Sequence, residues 1–424
     1  MECRALHAPE KATVHRLPNG LTVVLLPLPY VRSVSAGVWI GMGSGEESAE
    51  DAGISHFLEH LFFRGTHTRS AYELMAAVEG HGGHINAYTA RDYTCVYVRS
   101  IDDQLAPCLN VLADIVKNSA LLDFEMERGV LLEEIAAVED VPEDHVHDLF
   151  VERLWPDHAM GRPVGGSAES VSALTRERVG AYYDERCRGD NMILAVAGRF
   201  DPEGVLAQVC EELGDVPSGT CEPSEDVPRF SGGVRFLERD AAQQHVCLGF
   251  PAPTVTDEDR YVFGVLSTAL GGGSTSRLFE RIREREGLAY AIYSFRAGYR
   301  RCGLLGVYAA VAPTNFARAT ELAFEEIRRL KDELIPEDEL ALSREQLKGS
   351  LLISLESTAA RVARLAKSMV YFGREITVDE ILQGIDAVTP EDVQRVSRET
   401  FTPEQCACAV LGPNGKHNLG EIPL

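Results

Sequence analysis

The sequence lacks three features that would place it in a specialised class of protein. Its 10 cysteines include no Cys-x-x-Cys pair, which argues against a zinc finger, a redox motif or a disulfide framework. It has no run of about 18 apolar residues, the length expected of a membrane-spanning helix. Basic residues are scarce beside acidic ones, 41 against 65. The resulting net charge of −24 disfavours nucleic acid as a partner.

The amino-terminal residues also lack the apolar core of a signal peptide and the Arg- and Ser-rich character of a transit peptide. We therefore expect a soluble, cytoplasmic protein with reduced cysteines and no membrane partner. What is present is an ordinary globular composition, with 45% hydrophobic and 25% charged residues in a chain of 424. This length predicts two or three domains.

The first third of the chain alternates strand and helix patterns. A Pro-Asn-Gly turn at 18–20 separates two apolar runs and predicts a hairpin. Ser70 and Glu73 have the spacing of a capping box and predict a helix start. The predicted strands are 13–17, 21–26, about 34–40, 84–89 and 93–99, and the predicted helices are roughly 50–63, 70–80, 103–118 and 122–139.

A segment rich in Pro, Gly, Ser and acidic residues at 213–232 has no apolar period and is interpreted as a linker. It divides the chain into an N-terminal domain, 1–212, and a C-terminal domain, 233–424. Both halves contain an aromatic strand followed by a long amphipathic helix, which indicates an internal duplication. The predicted fold class is therefore α+β, with two related domains of antiparallel-rich sheet packed with helices.

The strongest chemical signal is a His-x-x-Glu-His pattern formed by His56, Glu59 and His60. On a helix, histidines four residues apart project from one face and can share one Zn²⁺. Glu59 lies at the edge of the same face, where it can accept a proton from a water at the metal. The surrounding residues are apolar, so buried imidazoles and a buried carboxylate would need such a partner.

A catalytic zinc site needs a third protein ligand, and the predicted helix at 122–139 supplies candidates. Glu127 and Glu134 are seven residues apart and share a face of that helix. The residues three and four positions from Glu134 are all apolar, so this carboxylate is expected to face the core. That pattern favours Glu134 over Glu133, although both residues remain candidates.

Residues 56–66, HFLEHLFFRGT, resemble the signature of the pitrilysin-type (M16) zinc peptidases, which carry the inverted motif. The resemblance implies that His56, His60 and Glu134 bind one Zn²⁺ per chain and that Glu59 is the catalytic base. It also implies an accessory role for Glu127. Weaker similarity extends over most of the chain, at 83–89, 161–166, 191–198 and 270–290. Cys95 and Cys187 depart from the usual residues of the family, but neither belongs to the metal set.

Arg283 and Tyr290 resemble an Arg–Tyr pair that completes the family's active site from the carboxy-terminal half of the clamshell. A guanidinium and a phenol are suitable donors to a developing oxyanion. Short members of the family carry half a clamshell per chain. The resemblance therefore implies a homodimer with composite sites, in which the pair of one protomer faces the zinc of its partner.

Asn86, Ala87, Tyr88 and Thr89 lie on a predicted hairpin strand whose edge could accept an extended peptide by main-chain hydrogen bonds. Without the family resemblance, the same residues are typical of an ordinary sheet edge. The acidic balance of the chain favours basic peptides. His145 and His147 are interpreted as solvated residues of an acidic loop.

The predicted function is a zinc-dependent endopeptidase that cleaves unfolded oligopeptides or processing segments. The alternative is a non-catalytic, or partner-dependent, scaffold subunit of a larger complex. The intact set of His56, Glu59, His60 and Glu134 favours the enzyme.

Overall fold

A computed structural model describes residues 11–219 and 221–413. The described residues form two compact units. Of the described residues, the first unit takes those up to Glu133, those in Val164–Ser224 and Ser354–Ile376, and the second takes Glu134–Pro163, Glu225–Ile353 and those from Thr377 onward. Each unit therefore combines segments from both sides of the predicted linker at 213–232. Between Leu213 and Gly233 the described residues form no helix or strand.

The first unit contains a six-stranded mixed sheet with the order β1-β2-β6-β3-β5-β4. Its strands are β1 Thr13–Arg16, β2 Thr22–Pro27, β3 Ser33–Ile40, β4 His84–Thr89, β5 Thr94–Ile101 and β6 Met192–Gly198. Its helices are α1 Ile54–Phe62, α2 Ala71–Glu79, α3 Leu105–Asn118, the first part of α4 Phe124–Asp140, α6 Ala168–Ala173, α7 Arg176–Arg186, α8 Pro202–Leu213 and α12 Thr358–Phe372.

Helices cover both faces of this sheet. Since neighbouring side chains of a strand point to opposite faces, Ile85 and Ala87 of β4 face one side and Tyr88 faces the other. Helix α1 contacts β4 and β5, and α3 contacts β5, while α12 contacts β3 and β6. The α12 side encloses a buried cluster that includes Trp39, Cys95 and Leu365.

The second unit contains a five-stranded sheet with the order β7-β11-β8-β10-β9. Its strands are β7 Gly233–Glu238, β8 Gln244–Ala252, β9 Ala289–Gly298, β10 Gly303–Val311 and β11 Ala407–Gly412. Its helices are the remainder of α4, α5 Pro142–Leu154, α9 Arg260–Gly271, a π-helical segment Phe279–Arg285, α10 Phe316–Asp332, α11 Glu337–Ser354, α13 Val378–Asp386 and α14 Pro390–Thr400.

The two sheets repeat one topology. When the strands β2 to β6 and the strands β7 to β11 are each numbered in chain order, the two sets have the same spatial order across their sheets. Each sheet has one parallel pair, β2–β6 in the first and β7–β11 in the second. The other pairs within these five strands are antiparallel. The prediction of an α+β fold with two related, antiparallel-rich sheets is confirmed.

One helix in each unit comes from the opposite half of the chain. Helix α12 packs on β6 and β3 of the first sheet, and α5 packs on the equivalent strands β11 and β8 of the second. The interpretation of His147 as solvated is wrong for this reason. Its ring stacks on Tyr308 with a centroid separation of 5.3 Å and makes an edge contact with Phe295 at 5.0 Å.

Most predicted elements of the first unit are present within a few residues of their predicted bounds. The hairpin pairs β1 with β2 around Gly20, whose φ of +91° explains the glycine. The capping box of Ser70 and Glu73 is formed. Helix α1 begins at Ile54 rather than near residue 50, because Gly53 has a left-handed conformation with φ of 93°. Among the described residues, no helix is both long and apolar enough to cross a membrane.

Candidate metal centre

A carboxylate from an earlier loop fixes the start of helix α1. The backbone N–H groups of Gly53 and Ser55 donate to the two oxygens of Glu47 at 2.7 and 2.9 Å. These are amides of the first turn, which have no partner within the helix, and a negative charge is favourable there. Glu47 is buried, with 6% of its surface exposed. The sequence carried no recognisable signal for this contact.

Hydrophobic packing determines which side chains of α1 remain accessible. The buried residues of this helix are Ile54, Ser55, Phe57, Leu58, Leu61 and Phe62. The three polar residues of the motif, His56, Glu59 and His60, are half-buried. The apolar side anchors the helix, so the polar side presents its groups from a fixed backbone.

His56, His60 and Glu134 lie together, as predicted. The ring centroids of the two histidines are 4.8 Å apart, with an interplanar angle of 87°. Each of the three residues offers one ligand atom, and these atoms lie within 4.8 Å of one another. The boundary between the two units falls inside the continuous helix α4, so Glu134 is carried by a helix that begins in the first unit.

This donor set fits a zinc ion. Two imidazole nitrogens and one carboxylate oxygen form a known catalytic zinc set that leaves a fourth position open. Ligand atoms at about 2.1 Å from one ion are separated by at most about 4.2 Å. The observed span therefore needs only a small side-chain adjustment to accommodate the ion.

The burial predicted around Glu134 is only partly present. Leu131 is buried, but Val130 is 40% exposed and Ala137 and Glu134 are also exposed. The carboxylate therefore does not face a core. Glu133 is exposed as well and does not belong to the group of three ligand atoms.

Glu127 is buried directly behind His60, with 1% of its surface exposed. Its Oε2 lies 3.1 Å from Nδ1 of His60, and its Oε1 contacts the Arg64 guanidinium. The contact at Nδ1 leaves Nε2 of His60 as the nitrogen available to a metal. A carboxylate in this position orients a ligating imidazole and raises its basicity. Arg64 was not singled out from the sequence.

Glu59 is held by the first sheet. The hydroxyl of Thr89, at the end of β4, donates to Oε2 of Glu59 at 2.5 Å. The same hydroxyl lies 3.2 Å from that of Thr94 on β5. The sequence placed Thr89 on the peptide-binding strand but did not indicate this contact with the predicted base.

The four predicted substrate-binding residues lie on β4, which is the edge strand of the first sheet. Their environments differ: Asn86 is exposed, Ala87 is buried, and Tyr88 and Thr89 are half-buried. Thr89 faces the side of α1, and Tyr88 faces the side of α12. Burial raises the pKa of the Tyr88 phenol, which therefore stays neutral.

Arg283 and Tyr290 lie in the second unit. The Arg283 guanidinium lies over the ring of Phe279, 4.7 Å from its centroid, and Tyr290 is 76% exposed. Their predicted role opposite a partner's metal stays a prediction.

Two family models match this chain. The model described as "Insulinase (Peptidase family M16)" matches residues 22–168, which include His56, Glu59, His60 and Glu134. The model described as "Peptidase M16 inactive domain" matches residues 173–347.

Curated relatives match along nearly their full length. A Streptomyces coelicolor protein is 39% identical over 413 residues, covering 95% of this chain and 90% of its own. A Mycobacterium tuberculosis protein is 40% identical over 415 residues, covering 96% of this chain and 94% of its own. Both are named as uncharacterized zinc proteases.

Solved structures share the fold. The crystal structure of a protease from Helicobacter pylori matches with a TM-score of 0.89 at 22% identity. It covers 95% of this chain and 100% of its own. At this identity the likeness concerns the fold alone.

Proposed function

The chain belongs to the peptidase M16 family, and from that premise we propose that it is a zinc-dependent endopeptidase acting on unfolded peptides. The observation that carries the proposal is the grouping of Glu134 of α4 with His56 and His60, which lie with Glu59 on the accessible side of α1. The names of the curated relatives support zinc and proteolysis at the level of the family.

His56, His60 and Glu134 would hold the zinc ion. When bound, zinc polarises a scissile carbonyl and makes a nearby water more acidic. Glu59 is the proposed general base, which accepts a proton from the attacking water and passes it to the leaving amine. Thr89 is a positioning residue, because its hydroxyl hydrogen-bonds the Glu59 carboxylate.

The edge strand β4 is the proposed binding surface for substrate. An extended peptide could add to this edge as a further strand, so that main-chain hydrogen bonds supply affinity. Such binding selects unfolded segments over folded proteins, because a folded substrate has its own backbone groups already paired. The charge of −24 makes basic peptides the favoured class.

The test is cleavage of an unstructured basic peptide of about 20 residues, a length an edge strand can bind in part, followed by mass spectrometry. Wild type should cleave, Glu59→Gln should bind zinc but not cleave, and the matched control Glu79→Gln on the exposed face of α2 should behave as wild type. Wild-type rates in Glu59→Gln would contradict the assignment of the base. If neither protein cleaves while both hold zinc, the scaffold or partner-dependent alternative gains support.

We further propose a homodimer with shared sites, which rests on the resemblance of Arg283 and Tyr290 to the family pair. Glu59→Gln and the double variant Arg283→Ala/Tyr290→Phe should each be inactive. Mixing them under conditions in which subunits exchange should restore part of the activity. An absence of rescue despite demonstrated exchange would argue against sites shared between protomers.

A further inference from the structure

The first sheet has a cavity on the face opposite α1 and the metal ligands. Its volume is about 300 Å³, at the small end of the range for ligand pockets. It lies between strands β3, β4 and β5 and the first turns of α12. Among the residues around it are Trp39, Tyr88, Tyr97, Arg99, Ala359 and Ala360.

Aromatic side chains form one wall of this cavity. Trp39 is 2% exposed, and the Tyr88 side chain lies next to it. Burial raises the pKa of Tyr88, and a side-chain contact with the Trp39 indole opposes part of that rise. The wall therefore offers aromatic surface to a ligand.

One basic side chain, that of Arg99, lines the cavity. It is exposed and has no ion-pair partner among residues 11–219 and 221–413. Lys367, also exposed and unpaired in the described part of the chain, lies two turns along α12 from Ala360. Burial raises the pKa of the Cys95 thiol in the cavity wall, whereas Tyr88 and Lys367 lower it and Glu59 raises it.

The start of α12 adds a third favourable element. Ser357 occupies the N-cap position but gives no side-chain hydrogen bond to the first turn. Ala359 and Ala360 of that turn line the cavity. The amide groups of a first turn, together with the helix dipole, favour a negative charge. Helix α12 has 15 residues, long enough for this effect.

We propose that this cavity binds a small organic carboxylate with an apolar or aromatic body. The carboxylate would lie between Arg99 and the first turn of α12, and the body would contact Tyr97 and the alanine side of the helix. An aromatic wall with a guanidinium at its rim suits such a ligand because Arg binds carboxylates in a bidentate manner. The proposal does not depend on the peptidase activity.

The chain provides its own reporter for a binding test. Its two tryptophans are Trp39 and Trp155, so Trp155→Phe leaves Trp39 as the sole indole. N-acetylphenylalanine is the probe, and its amide is the neutral control of the same shape. We expect saturable quenching or a spectral shift of Trp39 with the carboxylate and at least tenfold weaker binding of the amide.

Variants locate the binding site. Arg99→Met should weaken binding of the carboxylate about tenfold and change that of the amide less than twofold, as expected for loss of one charged hydrogen-bond partner. The matched control Arg16→Met, at an exposed guanidinium on β1, should leave both unchanged. Ala363 also lines the cavity, so Ala363→Phe should fill it and abolish binding of both compounds. If Trp155→Phe or Ala363→Phe fails to fold, calorimetric titration of wild type and Arg99→Met provides the same comparison.

A longer probe distinguishes a small free carboxylate from the carboxyl terminus of a peptide as the ligand. A hexapeptide ending in phenylalanine, with a free carboxylate, is titrated in the Glu59→Gln background so that it is not hydrolysed. Binding as tight as that of N-acetylphenylalanine assigns the cavity to peptide carboxyl termini, and loss of binding restricts it to small carboxylates. Equal affinity for carboxylate and amide, no saturable binding, or an unchanged Kd in Arg99→Met would overturn the proposal.

Discussion

Nδ1 of His60 lies 3.1 Å from Oε2 of Glu127, a residue 67 positions later in the chain and almost completely buried. This contact directs Nε2 of His60 toward the other proposed ligands. It also places a negative charge behind the imidazole, which makes the ring a stronger ligand. Glu127 therefore acts on the metal through His60.

Glu127→Gln should reduce zinc affinity about 10- to 100-fold, the usual effect of removing such a partner. The amide can keep a hydrogen bond to His60 but no longer supplies the charge, and Arg64 loses its ion-pair partner. Competition with a metal chelator measures the change in Kd. Glu125→Gln, at an exposed position of the same helix, is the control, and an equal loss in both variants would contradict a specific role for Glu127.

Thr89→Val should lower kcat about tenfold or more, because the Glu59 carboxylate loses the hydroxyl that holds it. KM should change little, since the backbone of β4 that would pair with substrate is unaltered. Thr89→Ser keeps the hydroxyl and should restore most of the rate. Steady-state kinetics with one peptide compare the three proteins. A rise in KM with unchanged kcat would instead indicate a role in substrate binding.

Metal removal should abolish proteolysis without unfolding the first unit. Helix α1 is anchored by buried apolar residues rather than by the metal, unlike the small domains that fold only when zinc binds. Far-UV circular dichroism after chelation should match that of the loaded protein. Zinc at about 100 times its Kd should raise the free energy of unfolding by about 2.7 kcal/mol. Collapse of the helical signal on chelation would contradict this view.

Asp114 should stabilise the first unit in a pH-dependent way. Its carboxylate accepts hydrogen bonds of 2.6 to 2.9 Å from four side chains, those of Arg69, Thr68, Thr66 and Asn118. Burial alone would raise the pKa of this carboxyl, but these donors outweigh it and hold the pKa below its usual 3.8. The stabilisation is therefore fully present above the unfolded pKa of about 3.9 and is lost as the pH falls through the folded value.

Asp114→Asn should consequently lower the free energy of unfolding by about 2 to 3 kcal/mol at neutral pH. The difference from wild type should shrink as the pH falls below about 4. Urea unfolding across this pH range measures it. The exposed carboxyl of Asp103 offers a control in Asp103→Asn, and a difference that grows toward acid pH would refute the predicted sign.

The sequence predicted local features well and distant contacts poorly. The spacing of His56 and His60 was sufficient to predict their proximity, because a helix has 3.6 residues per turn. The interpretation of His147 was wrong because its helix, α5, packs on the second sheet, whose strands follow the predicted linker in the chain. The core-facing argument for Glu134 was wrong because apolar neighbours on a helix do not establish that a packing partner covers them.

The sequence by itself determined the strand and helix order of the first unit, the internal duplication and the motif that carries the proposed chemistry, since each depends on short-range periodicity or spacing. Only the tertiary structure decided which groups support that motif: Glu47 at the start of α1, Glu127 behind His60, and Thr89 beside Glu59. It alone also decided that α12 returns from the second half to enclose the cavity beside Trp39. These contacts join elements far apart in the chain, and no local pattern of residues specifies how a sheet and distant helices come together.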